Sequence, residues 1–312
     1  MELKKLEYLL KVSELGSITE AAKQLYITQP ALSQVISAME KKYGIQIFER
    51  REGGLSLSYE GKLLIEAGRK QLLIEESLKK ELLDVRNETS GILKIGISVN
   101  RAAHFLPIIL PRWREKFPKI QLQVDTHSYL GFEKIVAEGK LDMAFVMQEA
   151  DVNVKTRKEL VYEPLFCYNC LLAVPPNHPL AEETGGILDW RLRPPVDLNR
   201  VKDDPFITTP SKQRSAGWLN SIYEAYNFYP RSVVMINGAS QYNLVQAGIG
   251  CALLQDTIAF AQKRGVFFRL DKGDFATTLC IIRRKDSYET KSMKYFADLI
   301  RDYAKQGKWS QL

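Results

Sequence analysis

The stretch from Gly16 to Arg50, GSITEAAKQLYITQPALSQVISAMEKKYGIQIFER, decides how the first part of this chain folds. It predicts two short helices joined by a tight turn. Ser17 and Glu20 form an S-x-x-E capping box, so the first helix is expected to begin directly after the serine. Thr28 has the spacing of a second cap. Pro30 falls in the first turn of the next helix, where its missing N–H is not needed.

The second helix separates an apolar face from an uncharged polar face. Four apolar residues at helical spacing predict a buried stripe: Leu32, Val35, Ile36 and Met39. The other side carries amides and hydroxyls for two turns, and such a face suits the major groove because Gln pairs bidentately with adenine. The candidate DNA-binding residues of this helix are Thr28, Gln29, Pro30, Ser33, Gln34 and Ser37. On these features alone, an ordinary helical hairpin with a polar face remains an alternative.

A longer run of residues carries a family signature. It consists of Ala21-Ala22, Leu25, Gln29-Pro30-Ala31-Leu32-Ser33, Ile36, Glu40, Gly44 and Phe48-Glu49-Arg50. In these positions the segment resembles the N-terminal domain of the LysR-type transcriptional regulators, with Met39 and Ile47 where leucine is usual. The resemblance implies a bacterial regulator of transcription that binds a double-stranded DNA operator.

A short hairpin after Gly44 adds a wing to the helix-turn-helix. The sequence IQIFERREGGLSLS holds two alternating segments around Glu52-Gly53-Gly54, which is typical of a β-hairpin. Arg50 and Arg51 flank the turn, and from there they can reach phosphates on either side of the groove. A plain pair of surface arginines is the alternative interpretation.

Composition indicates a soluble, cytoplasmic protein with no membrane partner. The 312 residues are 45% hydrophobic, which is enough to fill two or three cores. Four cysteines fit a reducing cytosol, and the N-terminus MELKKLEYLLK is too charged for a signal peptide. No apolar run approaches the roughly twenty residues that a membrane helix needs.

The formal net charge of +7 does not by itself indicate DNA binding. Residues 1–90 carry 14 basic and 14 acidic side chains, so the whole excess lies in the rest of the chain. The prediction of DNA binding therefore depends on the helix-turn-helix and not on bulk electrostatics.

A long helix is predicted from Tyr59 to Arg86, capped by Ser58. Residues near heptad a and d positions form an apolar stripe interrupted by Glu81: Leu64, Ala67, Gln71, Ile74, Leu78 and Val85. About 28 residues span roughly 42 Å, too long for the N-terminal domain to cover. The stripe is therefore expected to pack on a second copy, which gives a homodimer and agrees with the dimerisation helix that the resemblance implies. The alternative is that the stripe packs on the C-terminal part of the same chain. The resemblance further implies a homotetramer, which is the family's usual assembly.

The remainder of the chain predicts two α/β lobes. From Ile92 the pattern is βαβαβ, which implies a parallel sheet covered by helices. A second lobe is expected between about Pro164 and Phe267, after which the chain returns to the first. Such lobes resemble periplasmic solute-binding proteins, the architecture that the family uses for sensing. The expected fold class is α/β with an N-terminal all-α winged helix-turn-helix, a long linker helix and this two-lobed effector domain.

The predicted boundaries follow from these patterns. The winged helix-turn-helix covers 1–58, and the linker helix with its hinge covers 59–90. The effector domain covers 91–312, with lobe I at 91–164 and 268–312 and lobe II at 165–267.

Four strand or helix ends are candidates for the effector pocket, which in such folds lies between the lobes. Their residues are Ser98, Asn100, Arg101, His127, Ser128, Thr208, Thr209 and Ser240. Helix N-termini carry partial positive charge and Arg101 can bind a carboxylate, so a small anionic effector is favoured. Asn100 stands where the family often has threonine. Each hydroxyl alone is explained as well by helix capping.

No other motif indicates chemistry, and neither an enzyme nor a cofactor is predicted. Cys167 and Cys170 have C-x-x-C spacing, but no second pair or clustered histidine completes a zinc site. The pattern therefore favours a transcription regulator controlled by a small molecule. The alternatives are an effector-independent regulator with a vestigial sensing domain, and an enzyme or transport-type binding protein with an appended helix-turn-helix.

Overall fold

A computed structural model describes residues 2–51, 54–86, 90–126, 131–149, 157–210, 214–236, 239–261, 265–273 and 275–305. The chain divides into two compact units. The first comprises Met1–Glu88 with Asp286–Thr290, and the second comprises Thr89–Lys285 with Lys291–Leu312. Each unit is built around its own hydrophobic core.

The first unit is a winged helix-turn-helix followed by a long helix. Its elements are α1 (Leu3–Leu15), α2 (Ile18–Gln24), α3 (Gln29–Tyr43), β1 (Phe48–Arg51), β2 (Gly54–Leu57) and α4 (Tyr59–Val85). The predicted caps form, because Ser17, Thr28 and Ser58 each accept a backbone N–H three residues ahead. Each such cap stabilises its helix by about 1 kcal/mol. The hairpin of β1 and β2 is antiparallel.

The predicted apolar stripe of α3 forms the centre of this unit. Leu32, Ile36 and Met39 are buried against the small side chains of α2 and the apolar face of α1. The helix α4 crosses α1 closely, since a Cβ on Gly68 would come within 2.5 Å of the Leu6 side chain. The fold thereby fixes α3 from behind and leaves its other face to solvent.

The turn between α2 and α3 contains a strained residue. Tyr26 has a φ of 55°, in the left-handed region. Its N–H donates to the Lys23 carbonyl at 3.2 Å, and the Ile27 N–H donates to the Ala22 carbonyl at 3.1 Å. These two bonds form a Schellman motif, in which the left-handed residue is usually glycine. A side chain there costs about 1–2 kcal/mol.

The helix α4 carries an exposed apolar stripe over its C-terminal half. Its 27 residues reach to within one residue of the predicted end. The exposed fractions of Ile74, Leu78, Leu82 and Val85 are 63%, 52%, 45% and 70%. Leu82 joins the predicted stripe.

The second unit holds two lobes. Its elements are β3 (Gly91–Gly96), α5 (Val99–Lys116), β4 (Ile120–Asp125), α6 (Phe132–Ala137), β5 (Met143–Glu149), β6 (Leu160–Tyr168), β7 (Cys170–Val174), α7 (Pro179–Glu182), β8 (Pro205–Thr208), α8 (Arg214–Tyr226), β9 (Arg231–Met235), α9 (Ala239–Gln246), β10 (Ala252–Gln255), α10 (Asp256–Ala261), β11 (Val266–Arg269), β12 (Thr277–Arg284) and α11 (Lys291–Lys305).

Lobe I contains a five-stranded sheet in the order β4-β3-β5-β12-β6. The predicted βαβαβ unit supplies parallel β4, β3 and β5, while β12 runs antiparallel to both of its neighbours. Helices α5 and α11 bury Trp113 and Phe296 against the sheet. The Trp113 indole N–H donates to the Ser292 carbonyl at 3.0 Å and ties the two helices together.

Lobe II contains a three-stranded antiparallel sheet in the order β10-β7-β11 and a parallel pair, β8 and β9. A bridge between Phe206 and Cys251 connects β8 to the segment before β10. Between β7 and β8 the chain forms α7 and two short 3-10 turns. Arg193 is buried in this region, and its guanidinium donates to the carbonyls of Ile187, Leu188 and Phe267.

The chain crosses between the lobes at other residues than the predicted Pro164 and Phe267. Strand β6 continues to Tyr168 in the sheet of lobe I, so the first crossing residue is Asn169. Pro164 does not end the strand, because β6 is an edge strand and the register shifts opposite this proline. Likewise β11 pairs with β7 in lobe II up to Arg269, and the chain rejoins lobe I only at β12.

Candidate functional site

The outer face of α3 presents uncharged polar groups to solvent. Thr28, Gln29, Pro30, Gln34 and Ser37 are exposed and Ser33 is half-buried, while the opposite face lies in the core. The predicted residues of this helix therefore share its accessible side. Thr28 also caps the helix through the Ala31 N–H, at 3.3 Å.

Two of these side chains are bonded to each other. The Gln29 amide nitrogen donates to the Ser33 hydroxyl oxygen at 3.0 Å, one helical turn away. This bond orients the amide group and leaves its carbonyl oxygen and second N–H available. One acceptor beside one donor matches the N6 and N7 edge of adenine in the major groove.

Because of this bond, alanine substitutions at Gln29 and Ser33 are expected to be coupled. Each single variant should weaken specific DNA binding by about 1–3 kcal/mol, the cost of one bidentate base contact. The double variant should weaken it by little more, since either change disrupts the same contact. Fluorescence anisotropy with a duplex enriched from a random pool measures all four proteins. Fully additive losses would contradict a shared contact, and Gln121→Ala, at an exposed position of the second unit, serves as control.

The structure describes the side chain of one of the two wing arginines. Arg50 is exposed on β1 and is paired with Leu55 of β2. The Arg51 backbone belongs to the same strand, opposite Gly54. The Arg51 side chain and the turn residues Glu52 and Gly53 lie outside the described part of the chain.

The start of α5 brings together a hydroxyl, a guanidinium and a phenol. Ser98 occupies the cap position, but its side chain caps no backbone N–H of this helix. Instead its oxygen accepts from the Arg101 guanidinium at 3.1 Å. The guanidinium carbon lies 5.6 Å from the centre of the Tyr168 ring. Burial raises the pKa of Tyr168 to about 12, against the opposing effect of the arginine charge.

The remaining predicted residues of lobe I and of α9 are less informative. His127 and Ser128 lie outside the described residues, as does the side chain of Asn100. Ser240 is exposed near the start of α9. No described contact joins it to the group formed by Ser98, Arg101 and Tyr168, here called the Ser98 group.

The two threonines of lobe II have separate partners. The hydroxyls of Thr208 and Ser232 lie 2.6 Å apart. The Thr209 hydroxyl accepts from the Gln241 amide at 3.1 Å, which attaches the end of β8 to α9. Sequence reasoning missed both partners, since nothing in the sequence signals which polar residue 24 or 32 positions away completes the pair.

A cavity and an open apolar surface lie near these groups. The cavity, of about 410 Å³ in lobe II, is lined by Thr208, Thr209 and aromatic side chains of Tyr223, Phe228 and Tyr229. The open apolar surface follows the outer face of α5. Neither of the two is lined by both Ser98 and Thr208.

A buried carboxylate at the first crossing was not predicted. The Asp256 carboxylate accepts from the Asn169 N–H, and the Asp256 N–H donates to the Asn169 carbonyl, both at 3.0 Å. Asp256 is 5% exposed, and burial raises the pKa of its carboxyl to about 6 against the hydrogen bonds that lower it. The residue thus holds the segment that connects the two lobes.

One group of side chains in the described ranges has metal-binding spacing: His178, Asp204 and Cys251. The His178 Nδ1 accepts from the Leu180 N–H at 3.1 Å, and its Nε2 lies 3.1 Å from the Asp204 carboxylate. The proton must therefore sit on Nε2, directed at the carboxylate. A metal-bound histidine needs the opposite arrangement, with its second nitrogen donating. His178 and Asp204 therefore form a structural hydrogen-bonded pair, with the Cys251 sulfur beside them.

The C-x-x-C thiols are differently placed. Cys167 is exposed in β6 and its sulfur lies 3.4 Å from the Thr278 hydroxyl, whereas Cys170 is buried in β7. Burial raises the pKa of the Cys170 thiol above its ordinary value, so it stays protonated at neutral pH.

Among the described residues, none of the helices combines the length and the apolar composition that spanning a membrane requires.

Comparison with known proteins agrees with these features. Residues 3–62 match the family model "Bacterial regulatory helix-turn-helix protein, lysR family", and residues 86–305 match "LysR substrate binding domain". The HTH-type transcriptional regulator YcgK of Bacillus subtilis (strain 168) is 23% identical over 98% of this chain and 96% of its own length.

Solved structures show the same fold. A variant of full-length OxyR from Pseudomonas aeruginosa superposes with a TM-score of 0.67 at 17% identity, covering 96% of this chain and 95% of that one. Full-length CbnR in complex with its target DNA gives 0.55 at 17% identity, covering 97% and 99%. The winged helix-turn-helix, the two α/β lobes and both family models lead to one assignment: the chain belongs to the family of LysR-type transcriptional regulators.

Proposed function

We propose that this regulator is controlled by a small anionic effector bound between its two lobes. The observation that carries the proposal is the N-terminus of α5, an 18-residue helix. The hydroxyl of its cap residue Ser98 accepts a hydrogen bond from Arg101 and not from a backbone N–H of the helix. Free N–H groups and the helix dipole favour an anion there. The guanidinium of Arg101 adds a full positive charge. A carboxylate or phosphate is the ligand group that matches these donors.

We further propose that α3 and the wing form the DNA-binding surface. The N-terminal half of α3 enters the major groove, where Gln29 and Ser33 read base edges and Thr28, Pro30, Gln34 and Ser37 line the contact. Arg50 and Arg51 bind phosphates beside the groove. CbnR, which shares this fold, has been solved in complex with its target DNA, and that complex supports the same use of the N-terminal unit here.

The proposed assembly is a cytoplasmic homodimer that pairs through α4, with a homotetramer as the larger form. The exposed Leu78 and its apolar neighbours on α4 support this pairing. A twofold dimer presents two copies of α3, so the operator is expected to hold two related half-sites.

A second candidate is a regulator that responds to no effector. It is favoured by the contacts that Arg101 already makes within the protein. Its guanidinium donates a hydrogen bond to the Ser98 hydroxyl and lies against the Tyr168 ring. In that case the Ser98 group only braces the start of α5. The two candidates differ in whether an added anion stabilises the protein.

Thermal melting of the full-length protein with panels of anionic and cationic metabolites tests the effector. An anion at a hundredfold excess over its dissociation constant is expected to stabilise the folded protein by about 2.7 kcal/mol. The shift should disappear in Ser98→Ala and in Arg101→Gln, because each removes a donor. Arg112→Ala, which removes an exposed arginine of the same helix, serves as matched control.

Three results would count against this proposal. Stabilisation by cations alone would exclude an anionic site. A shift that survives both substitutions would move the site away from α5. No shift with any compound in the panels would favour the effector-independent regulator.

A further inference from the structure

Tyr26 is an exception among the residues that end helices in a left-handed conformation. Helices α1 and α3 end at Gly16 and Gly44, with φ of 61° and 64°. Helix α8 ends at Asn227, with φ of 49°. Glycine and asparagine are the residues that tolerate this conformation. Only α2, among the described helices with this kind of ending, is followed by a bulky aromatic residue.

The fold of the first unit does not explain the aromatic ring. The Tyr26 side chain is 95% exposed, so its burial contributes almost nothing to the stability of the chain. Phe275, the other aromatic residue with positive φ in the described chain, packs against the core of lobe II and lies 6.0 Å from the Tyr226 ring. A strained residue that gains no packing indicates a contact outside the chain.

The position of Tyr26 identifies that contact. It lies two residues before the cap of α3, between the half-buried Leu25 and Ile27, and the nearby Gln24 and Thr28 are also exposed. A side chain that precedes the inserted helix lies at the rim of the groove, where the sugar–phosphate backbone passes. Tyrosine hydroxyls are among the groups that donate to DNA phosphates. Lys23, exposed in the last turn of α2, adds positive charge nearby, although Glu20 pairs with it at 2.8 Å.

We propose that Tyr26 is a DNA-contacting residue, whose phenol hydroxyl donates to a backbone phosphate next to the groove that α3 enters. The left-handed turn directs the ring outward at this point of the chain. The contact carries no sequence information, so it strengthens binding to every duplex. It rests on DNA binding by the helix-turn-helix but is independent of any effector.

The test compares two substitutions on two duplexes. One duplex is enriched from a random pool by the wild-type protein, and the other is a scrambled sequence of equal length. Tyr26→Phe removes the hydroxyl and keeps the ring and the strain, and it is expected to weaken binding to both duplexes by about three- to tenfold. Tyr26→Asn should weaken both at least as much, without a lower melting temperature, because asparagine tolerates this conformation.

Tyr229→Phe, which changes an 81% exposed tyrosine of the other unit, serves as matched control and should bind both duplexes like the wild type. Unchanged binding by Tyr26→Phe would overturn the proposal. Weakening confined to the enriched duplex would also overturn it, since that result indicates a base contact. Failure of the wild-type protein to enrich any duplex would instead refute DNA binding itself.

Discussion

Replacing Leu78 with glutamate is expected to convert the protein to a monomer with greatly reduced operator affinity. Leu78 is 52% exposed on α4, in line with three other exposed apolar side chains. In a paired α4 the two substituted carboxylates would be desolvated near each other. Loss of the dimer also removes the second half-site contact, which is worth about 10²- to 10⁴-fold in affinity. Analytical ultracentrifugation and anisotropy with the enriched duplex measure the two effects.

Leu78→Met is the matched control for this substitution. It keeps the volume and apolar character of the side chain, so it should remain dimeric. A stable dimer of Leu78→Glu would place the interface elsewhere. A monomeric wild-type protein would refute pairing through α4 altogether.

The second large effect is expected at Asp256, where Asp256→Asn should change the pH dependence of stability. Burial raises the pKa of this carboxyl from 3.8 to about 6 in the folded protein. The folded state therefore holds the proton more tightly than the unfolded state. The free energy of unfolding should fall as pH rises from about 4 to 6, by about 3 kcal/mol from this group. Asparagine cannot ionise, so its variant should lack this loss.

Thermal melts followed by tryptophan fluorescence measure this difference. Trp113, Trp190 and Trp218 all lie in the second unit, so the signal reports on the unit that contains Asp256. At pH 7 the variant is expected to melt higher than the wild type, and at pH 4 the advantage should vanish. Parallel pH profiles for the two proteins would show that the buried carboxyl does not titrate as expected. Asp203→Asn, at an exposed position, is the control.

Local pattern predicted much of the first unit. The caps at Ser17, Thr28 and Ser58 and the buried stripe of α3 depend on residues three or four apart, which the sequence displays directly. The strained Tyr26 was not predicted, because a helix followed by glycine or asparagine gives a signal and a helix followed by tyrosine does not. Its unusual φ became evident only in the structure.

Long-range pairings explain what could not be predicted in the second unit. Arg101 meets Tyr168, and Asn169 meets Asp256, through contacts between residues far apart in the chain. The boundary was predicted near Pro164, but β6 continues past this residue because an edge strand with a register shift accommodates the proline. The sequence predicted the helices that begin near Ser98 and Ser240. It did not predict which residues hydrogen-bond to the hydroxyls of Ser98, Thr208 and Thr209.

The order of strands in lobe I has a consequence for synthesis on the ribosome. Strand β12 lies between β5 and β6, yet the whole of lobe II is translated before it. The sheet of lobe I therefore stays divided, with unpaired edges on β5 and β6, until residues 277–284 emerge. Chains that stop before this point would expose the apolar faces that Ile281 and Phe296 otherwise close. A nascent chain of this regulator can complete its winged helix-turn-helix early, but its sensing unit becomes resistant to aggregation and proteolysis only with the last strand and helix.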